Sequence, residues 1–236
     1  MDDRTVIFLH IPRTAGTTLH TIIDRHYRAG EAYSFGPIAQ ASLEYLHNLP
    51  LEERSRFKMI KGHMGFGLSE KLAGRSTYFT LLREPIDRTV SFFYYIRNDV
   101  HHYFHTAIHE NEMSLADFIR NRKPLMFDNA QTRLIAGEWL DVPFGRCTPA
   151  MLEKAKAHLE DHFSVVGLTE YFDATLLLLQ REYGWEHIRY APQNPARGRP
   201  AVEALSGEDL EIVTNFNQYD LALYHHAQNL FQRQLD

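Results

Sequence analysis

The chain reads as an α/β fold, three layers deep, with a mostly parallel central sheet. Short apolar runs alternate with stretches of helical period along the 236 residues, the pattern of strands joined by crossover helices. Arg13, His63, Arg83 and Thr169 each fall just past the end of an expected strand. That is the edge at which open parallel sheets bind ligands. No Pro/Gly/Ser-rich linker, repeat or low-complexity stretch divides the chain, which predicts one domain over residues 1–236.

Residues 5–10 have the continuous apolar character of a buried strand, and a helix follows from Thr17 to about Arg28, with Leu19, Ile22, Ile23 and Tyr27 on one face and Gly30 as its stop. Residues 40–49 predict a short helix ended by Pro50, and 51–56 a further turn. FKMIKGH (57–63) is the second strand and STYFTLLRE (76–84) the third. Pro85 stands at a favourable first helical position, before a helix carrying Ile86, Val90, Phe93, Tyr94 and Ile96. Residues 99–113, rich in His and Asn, have no clear period and read as an irregular excursion or lid. Ser114 caps a short helix, another spans about 127–136 before Gly137, and Thr148-Pro149 opens a helix over 150–161. FSVVGLTE (163–170) is the fourth strand, followed by a helix from Phe172 to Tyr183 and a loop over 185–205. Ser206 caps a single long final helix bearing Leu210, Val213, Phe216, Leu223, Ala227, Leu230 and Phe231.

Composition narrows the function. The net charge is −5 with histidine neutral, which argues against broad nucleic-acid binding while leaving room for a local basic pocket. The lone cysteine, Cys147, excludes an internal disulfide, fits a reducing compartment and reads as an ordinary free thiol. The N-terminus has no basic segment followed by a long apolar run, and no apolar run approaches the ~20 residues of a membrane span. A soluble cytoplasmic protein is the default expectation. A fragment lacking its anchor would read the same way.

The stretch TVIFLHIPRTAGTTL (5–19) is a strand, a tight loop with Pro12 and Gly16, and a helix N-terminus. That order makes a P-loop-like anion cradle: loop amides converge and the helix dipole favours negative charge. Arg13, Thr14, Thr17 and Thr18 add donors. A Walker A loop would need G-x-x-x-x-G-K-[ST]. Here Thr17 follows Gly16 and the first glycine is absent, so Mg²⁺-dependent hydrolysis of ATP or GTP is disfavoured. LLREPIDRTVS (81–91) supplies a second anion grip, Arg83 at a strand end and Ser91 about two turns into the next helix. A surface pair of Arg83 with Glu84 or Asp87 is the competing reading.

HIPRTAGTTL resembles the 5′-phosphosulfate loop of the sulfotransferases that use 3′-phosphoadenosine-5′-phosphosulfate (PAPS), commonly P-K-T-G-[ST]-[ST]. LLREPIDRTVSFFYYIR is similar to their 3′-phosphate motif, R-[DE]-P-x-x-R-x-x-S. IKGHMGFGL, DNAQTRLIAG, HFSVVGLTEYFD and YDLALYHHA resemble the branch of heparan sulfate 2-O-sulfotransferases and bacterial carbohydrate sulfotransferases. The resemblance covers about residues 5–233. It implies PAPS as co-substrate, held at the 5′ side by Arg13, Thr14, Gly16, Thr17 and Thr18 and at the 3′-phosphate by Arg83 and Ser91. It implies His63 as the base that takes the acceptor proton, with Arg13 aiding the leaving phosphate, no metal, and a hydroxyl-bearing acceptor of saccharide type. Arg13 departs from the family's usual lysine. It keeps the charge but is planar and cannot release a proton. In relatives the loop holding Arg197 and Arg199 closes over the nucleotide, so both are candidates for the 3′-phosphate.

Asn129, Gln131 and Arg133 are candidates to face the acceptor, against the plainer reading of a solvated helix face. The histidines at 101, 102, 105 and 109 read as a mobile acceptor-side lid, with zinc as the less favoured alternative. Two rival functions stay open: a nucleotide-dependent phosphotransferase on the same fold, and a degenerate relative that only binds an anion or glycan. Oligomeric state and acceptor identity are not encoded legibly.

Overall fold

The structure is a computed structural model and describes residues 4–36, 38–72, 74–191 and 199–236. Among the described residues five strands form one sheet: β1 (Thr5–Leu9), β2 (Ala32–Ser34), β3 (Met59–Gly62), β4 (Ser76–Leu82) and β5 (Phe163–Leu168). Their order is β2-β3-β1-β4-β5 and every pairing is parallel. Central β1 pairs Val6 to Leu9 with Met59 to Gly62 of β3, and Thr5 to Phe8 with Ser76 to Phe79 of β4. β3 is buried at every position, and β1 and β4 at all but the first. Both faces of the sheet are therefore covered, as parallel sheets require.

The crossovers are α1 (Gly16–Ile23) after β1, α2 (Ala39–Asn48) and α3 (Leu51–Arg54) between β2 and β3, and α4 (Pro85–Asn98), α5 (His105–Glu110), α6 (Leu115–Arg122), α7 (Ala130–Ala136) and α8 (Pro149–His162) between β4 and β5. After β5 come α9 (Phe172–Tyr183), α10 (Gly207–Phe216) and α11 (Gln218–Leu235). The main core joins β1, β3, β4 and β5 to α1, α8, α9 and α11. A second cluster, including Val90, Phe93, Phe118, Ile119, Phe127 and Val213, lies among α4, α6 and α10.

Most elements stand where residue patterning puts them. Glu84 caps α4 through Ile86 N–H and Asp87 N–H, Ser114 forms a full capping box with Asp117 on α6, and Thr148 and Ser206 cap α8 and α10. Three expectations change. The edge strand β2 was not anticipated, because its three residues are only partly buried. The helix expected to reach Arg28 stops at Ile23, with turn hydrogen bonds from Arg25 N–H to the Ile22 carbonyl and from His26 N–H to the Ile23 carbonyl. The single final helix is two, broken at Asn217. That side chain is fully buried, donates to the Val213 and Phe127 carbonyls and so draws the backbone out of helical geometry.

Candidate active site

The loop from β1 to α1 turns through two left-handed residues that are not glycine, Arg13 at φ 73° and Ala15 at φ 61°. Each such residue costs on the order of 1–3 kcal/mol and persists only where its surroundings over-determine it. The Thr14 hydroxyl, fully buried, donates to the Ile11 carbonyl at 2.8 Å and ties the loop shut. It is thereby unavailable as the side-chain donor expected from it. Thr18 is buried too, and Thr17 is exposed in the first turn. Ala15 brings the chain into α1 with no side-chain cap. Helix α1 thus presents its N-terminus at the carboxyl end of β1, the end of a helix that favours an anion.

Gly16 is required for a different reason from openness to ligand. A Cβ there would lie 1.7 Å from His10 Nε2. The His10 ring thus occupies the floor beneath the cradle, stacked on Phe8 (centroids 5.2 Å) and tilted against His63 (4.3 Å). His63 follows β3, where Gly62 (φ 140°) lets the backbone turn past Phe35. His63 Nδ1 lies 2.8 Å from the His10 carbonyl, which only accepts, so Nδ1 carries the proton and Nε2 the lone pair. His63 is exposed to solvent, between the buried Gly62 and Met64. Burial lowers its pKa from the ordinary histidine value, against the opposing hydrogen bond to His10.

A third imidazole backs these two. His20 Nε2 and His10 Nδ1 share a hydrogen bond of 3.1 Å. Burial first, then the neighbouring cations, holds the His10 pKa well down and brings His20 to about 4. Lys61 beneath them is buried and paired with Asp24. The rings form no continuous proton path to His63, because its Nδ1 ends on a backbone carbonyl.

On the other side of the cradle lies a guanidinium cluster. Arg13 Nε donates to Ser91 Oγ at 3.1 Å and its guanidinium sits 5.0 Å above the Tyr95 ring. Arg83 Nη1 donates to the Arg13 carbonyl at 2.9 Å, and Arg83 also holds Asp87 at 2.8 and 2.5 Å. Arg199 pairs with the same carboxylate. Burial and then the neighbouring Arg83 lower the Arg13 pKa. Burial pushes the Asp87 carboxyl up, but the pairs with Arg199 and Arg83 outweigh it and hold it below the usual carboxylate value. Two guanidiniums, Arg83 and Arg199, share the Asp87 carboxylate and a third, Arg13, lies beside them, which leaves an excess of positive charge, the electrostatic signature of an anion site.

The structure therefore joins Arg13, Arg83 and Ser91 by hydrogen bonds, brings in Arg199 through Asp87, and packs Gly16 on the His10 ring, which neighbours His63. The Arg83–Asp87 pair of the competing reading exists, but part-buried and inside the cluster rather than on the surface. Arg197 lies outside the described residues. Asn129, Gln131 and Arg133 do not face an acceptor: all are buried. Arg133 pairs with Asp128 at 2.5 Å and donates to the Val142 and Pro143 carbonyls. Every residue of α7 is buried, so a helical run with no solvent face was the signal that its polar groups are bonded internally. The segment 99–113 folds partly into α5, with Ile108 in the second core and His109 Nε2 donating to the Arg97 carbonyl at 2.8 Å. Among the described residues no group of three or more His, Cys, Asp or Glu could hold a metal ion. None of their helices is long and apolar enough to cross a membrane. Burial pushes the Cys147 thiol up to about 12, in keeping with an inert side chain.

The family model described as galactose-3-O-sulfotransferase matches residues 2–236. Galactose-3-O-sulfotransferase 2 of Mus musculus is 25% identical over 256 residues, covering 98% of this chain and 62% of the relative. Galactosylceramide sulfotransferase of Bos taurus is 28% identical over 253 residues, covering 99% and 58%. Galactose-3-O-sulfotransferase 3 of Homo sapiens is 26% identical over 250 residues, covering 97% and 56%. The chain thus spans about three fifths of the length of these curated relatives. The matches name galactose-directed enzymes and not the heparan sulfate 2-O branch that the shorter motifs suggested. On the strength of a match running nearly end to end, the chain belongs to the galactose-3-O-sulfotransferase family.

Proposed function

We propose that this chain transfers a sulfuryl group from PAPS to a hydroxyl of a galactose-bearing carbohydrate or glycolipid. The observation that carries the reading is one line of contacts, from Ser91 through Arg13 and the uncapped start of α1 to the His10 ring and His63. It sets an imidazole with a free Nε2 beside a cradle for anions. The residues present suit the donor: a helix start without a side-chain cap, and a cluster of Arg13, Arg83 and Arg199 that holds a single carboxylate, Asp87. When bound, PAPS supplies the activated sulfuryl group.

In this reading the amides of Thr14, Gly16, Thr17 and Thr18 hold the 5′ side, and Arg83, Ser91 and Arg199 hold the 3′-phosphate, with Arg197 as a further candidate. His63 Nε2 takes the proton of the acceptor hydroxyl as the oxygen attacks sulfur. Such a base is worth typically ~10²–10⁴-fold. Arg13 and the loop amides stabilise charge on the departing phosphate, the role an oxyanion hole plays in acyl transfer. The names of the relatives support a galactose-containing acceptor.

The test is His63→Ala. Transfer from labelled PAPS to a galactoside falls by ~10²-fold or more, while adenosine 3′,5′-bisphosphate binds as before by calorimetry. Turnover close to wild type would remove His63 from the chemistry.

A further inference from the structure

Arg83 stands one residue beyond the ladder. The β4–β5 register ends at Leu82 opposite Leu168. The N–H and C=O of Arg83 are taken instead by one side chain from another element. Its N–H donates to Gln131 Oε1 at 3.0 Å and its carbonyl accepts from Gln131 Nε2 at 2.9 Å. The carboxamide thus stands in for a neighbouring strand at the residue where the sheet opens.

Gln131 is itself fixed. It is fully buried, and its N–H donates to Asp220 at 3.0 Å. Asp220 also accepts from Thr132 N–H at 2.7 Å, so α11 caps the start of α7. The Asn129 amide oxygen in turn accepts from Tyr219 and Asp220 N–H, at 2.8 and 3.1 Å, and caps α11. Two helix starts cap each other, and Gln131 projects from this reciprocal joint to the end of β4.

We propose that Gln131 is a positioning residue for the 3′-phosphate: it sets the backbone of Arg83, and through it the direction of the guanidinium, and touches no ligand. The inference rests on the reading of Arg83 as the 3′-phosphate ligand. Arg83 also braces the cradle through the Arg13 carbonyl, but Asp87 and that carbonyl constrain only its guanidinium. Gln131 constrains its main chain, which decides where the side chain starts. A general packing role would weaken every nucleotide alike. A role in aiming Arg83 weakens only those with a 3′-phosphate.

The experiment measures the ratio of affinities for adenosine 3′,5′-bisphosphate and adenosine 5′-monophosphate, by calorimetry on the full chain. Gln131→Met keeps the volume and loses both hydrogen bonds. Gln131→Glu keeps the acceptor for Arg83 N–H and loses the donor. Arg83→Ala is the control. The expected result is a preference for the bisphosphate reduced on the order of tenfold in Gln131→Met, whose side chain no longer holds the Arg83 main chain. Gln131→Glu falls between Gln131→Met and wild type, and monophosphate affinity stays within about twofold throughout. Should Gln131→Met fail to fold, Gln131→Glu alone decides. If Arg83→Ala abolishes the preference and the Gln131 variants leave the ratio at its wild-type value, or if neither variant folds, the positioning role is overturned. If Arg83→Ala leaves the ratio unchanged, the 3′-phosphate reading itself has failed.

Discussion

A base that works near neutral pH is helped by anything that keeps it unprotonated, and in its proposed role His63 has its Nδ1 proton fixed on a carbonyl and a lowered pKa. Because burial lowers its pKa, His63 stays neutral at pH values where a free histidine charges. The acid limb of kcat/KM should therefore lie below the ordinary histidine value of 6.5, which a pH–rate profile with saturating PAPS checks. A profile bending at or above 6.5 would contradict this. His10 and His20 have a different consequence. Both resist protons that the unfolded chain accepts, so the unfolded state binds more protons once the pH drops below 6.5. Their contribution to stability is whole above 6.5 and falls as the pH is lowered toward about 4, where His20 titrates in the folded state. The melting temperature should fall across that interval and fall less in His20→Gln, where one of the two resisting groups is gone.

At the scale of elements, the joint between α7 and α11 is the sharpest case. Asn129 occupies a left-handed position, φ 47°, and its side chain caps α11. Asparagine tolerates that backbone at less cost than alanine. Asn129→Ala should cost about 2 kcal/mol, the upper end for a lost cap with added strain. Asn129→Gly should cost less, and urea unfolding of the two variants reads the difference. This joint also shows where the amino-acid pattern stops being informative. Strands β1, β3, β4 and β5 announce themselves as apolar runs, and the capped helices by Ser, Thr or Pro at their starts. Arg13, His63, Arg83 and Ser91 are legible because strand ends and a recurrent spacing mark them. The bonds of Gln131, Asn129 and Asp220 are not, because they join residues about 50 to 90 positions apart and leave no local period. The support of His63 by His10 was hidden likewise: an imidazole inside HIPR reads as strand until its ring is seen under Gly16. β2 escaped because a short, half-covered edge carries too few apolar side chains to stand out.

For the whole molecule, a net charge of −5 is set against a local excess of arginine. On the proposed reading, attraction of an anionic nucleotide by this cluster is felt within the roughly 8–10 Å over which charge acts at ordinary ionic strength. Adenosine 3′,5′-bisphosphate at one hundred times its Kd should stabilise the chain by about 2.7 kcal/mol. Raising the salt should shrink the accompanying rise in Tm. A rise unaffected by salt would mean that the arginines do not meet the ligand's charge.

The all-parallel order β2-β3-β1-β4-β5 has a temporal consequence. Each strand reaches its neighbour only through a crossover, so pairing waits on the closure of long loops, and such topologies are slow to form. The groups that would grip the nucleotide come from the ends of β1 and β4, from α4 and from the approach to α10, and they are apart until those strands stand in register. On the proposed reading, a nascent chain acquires an affinity for the nucleotide only after β4 has joined β1.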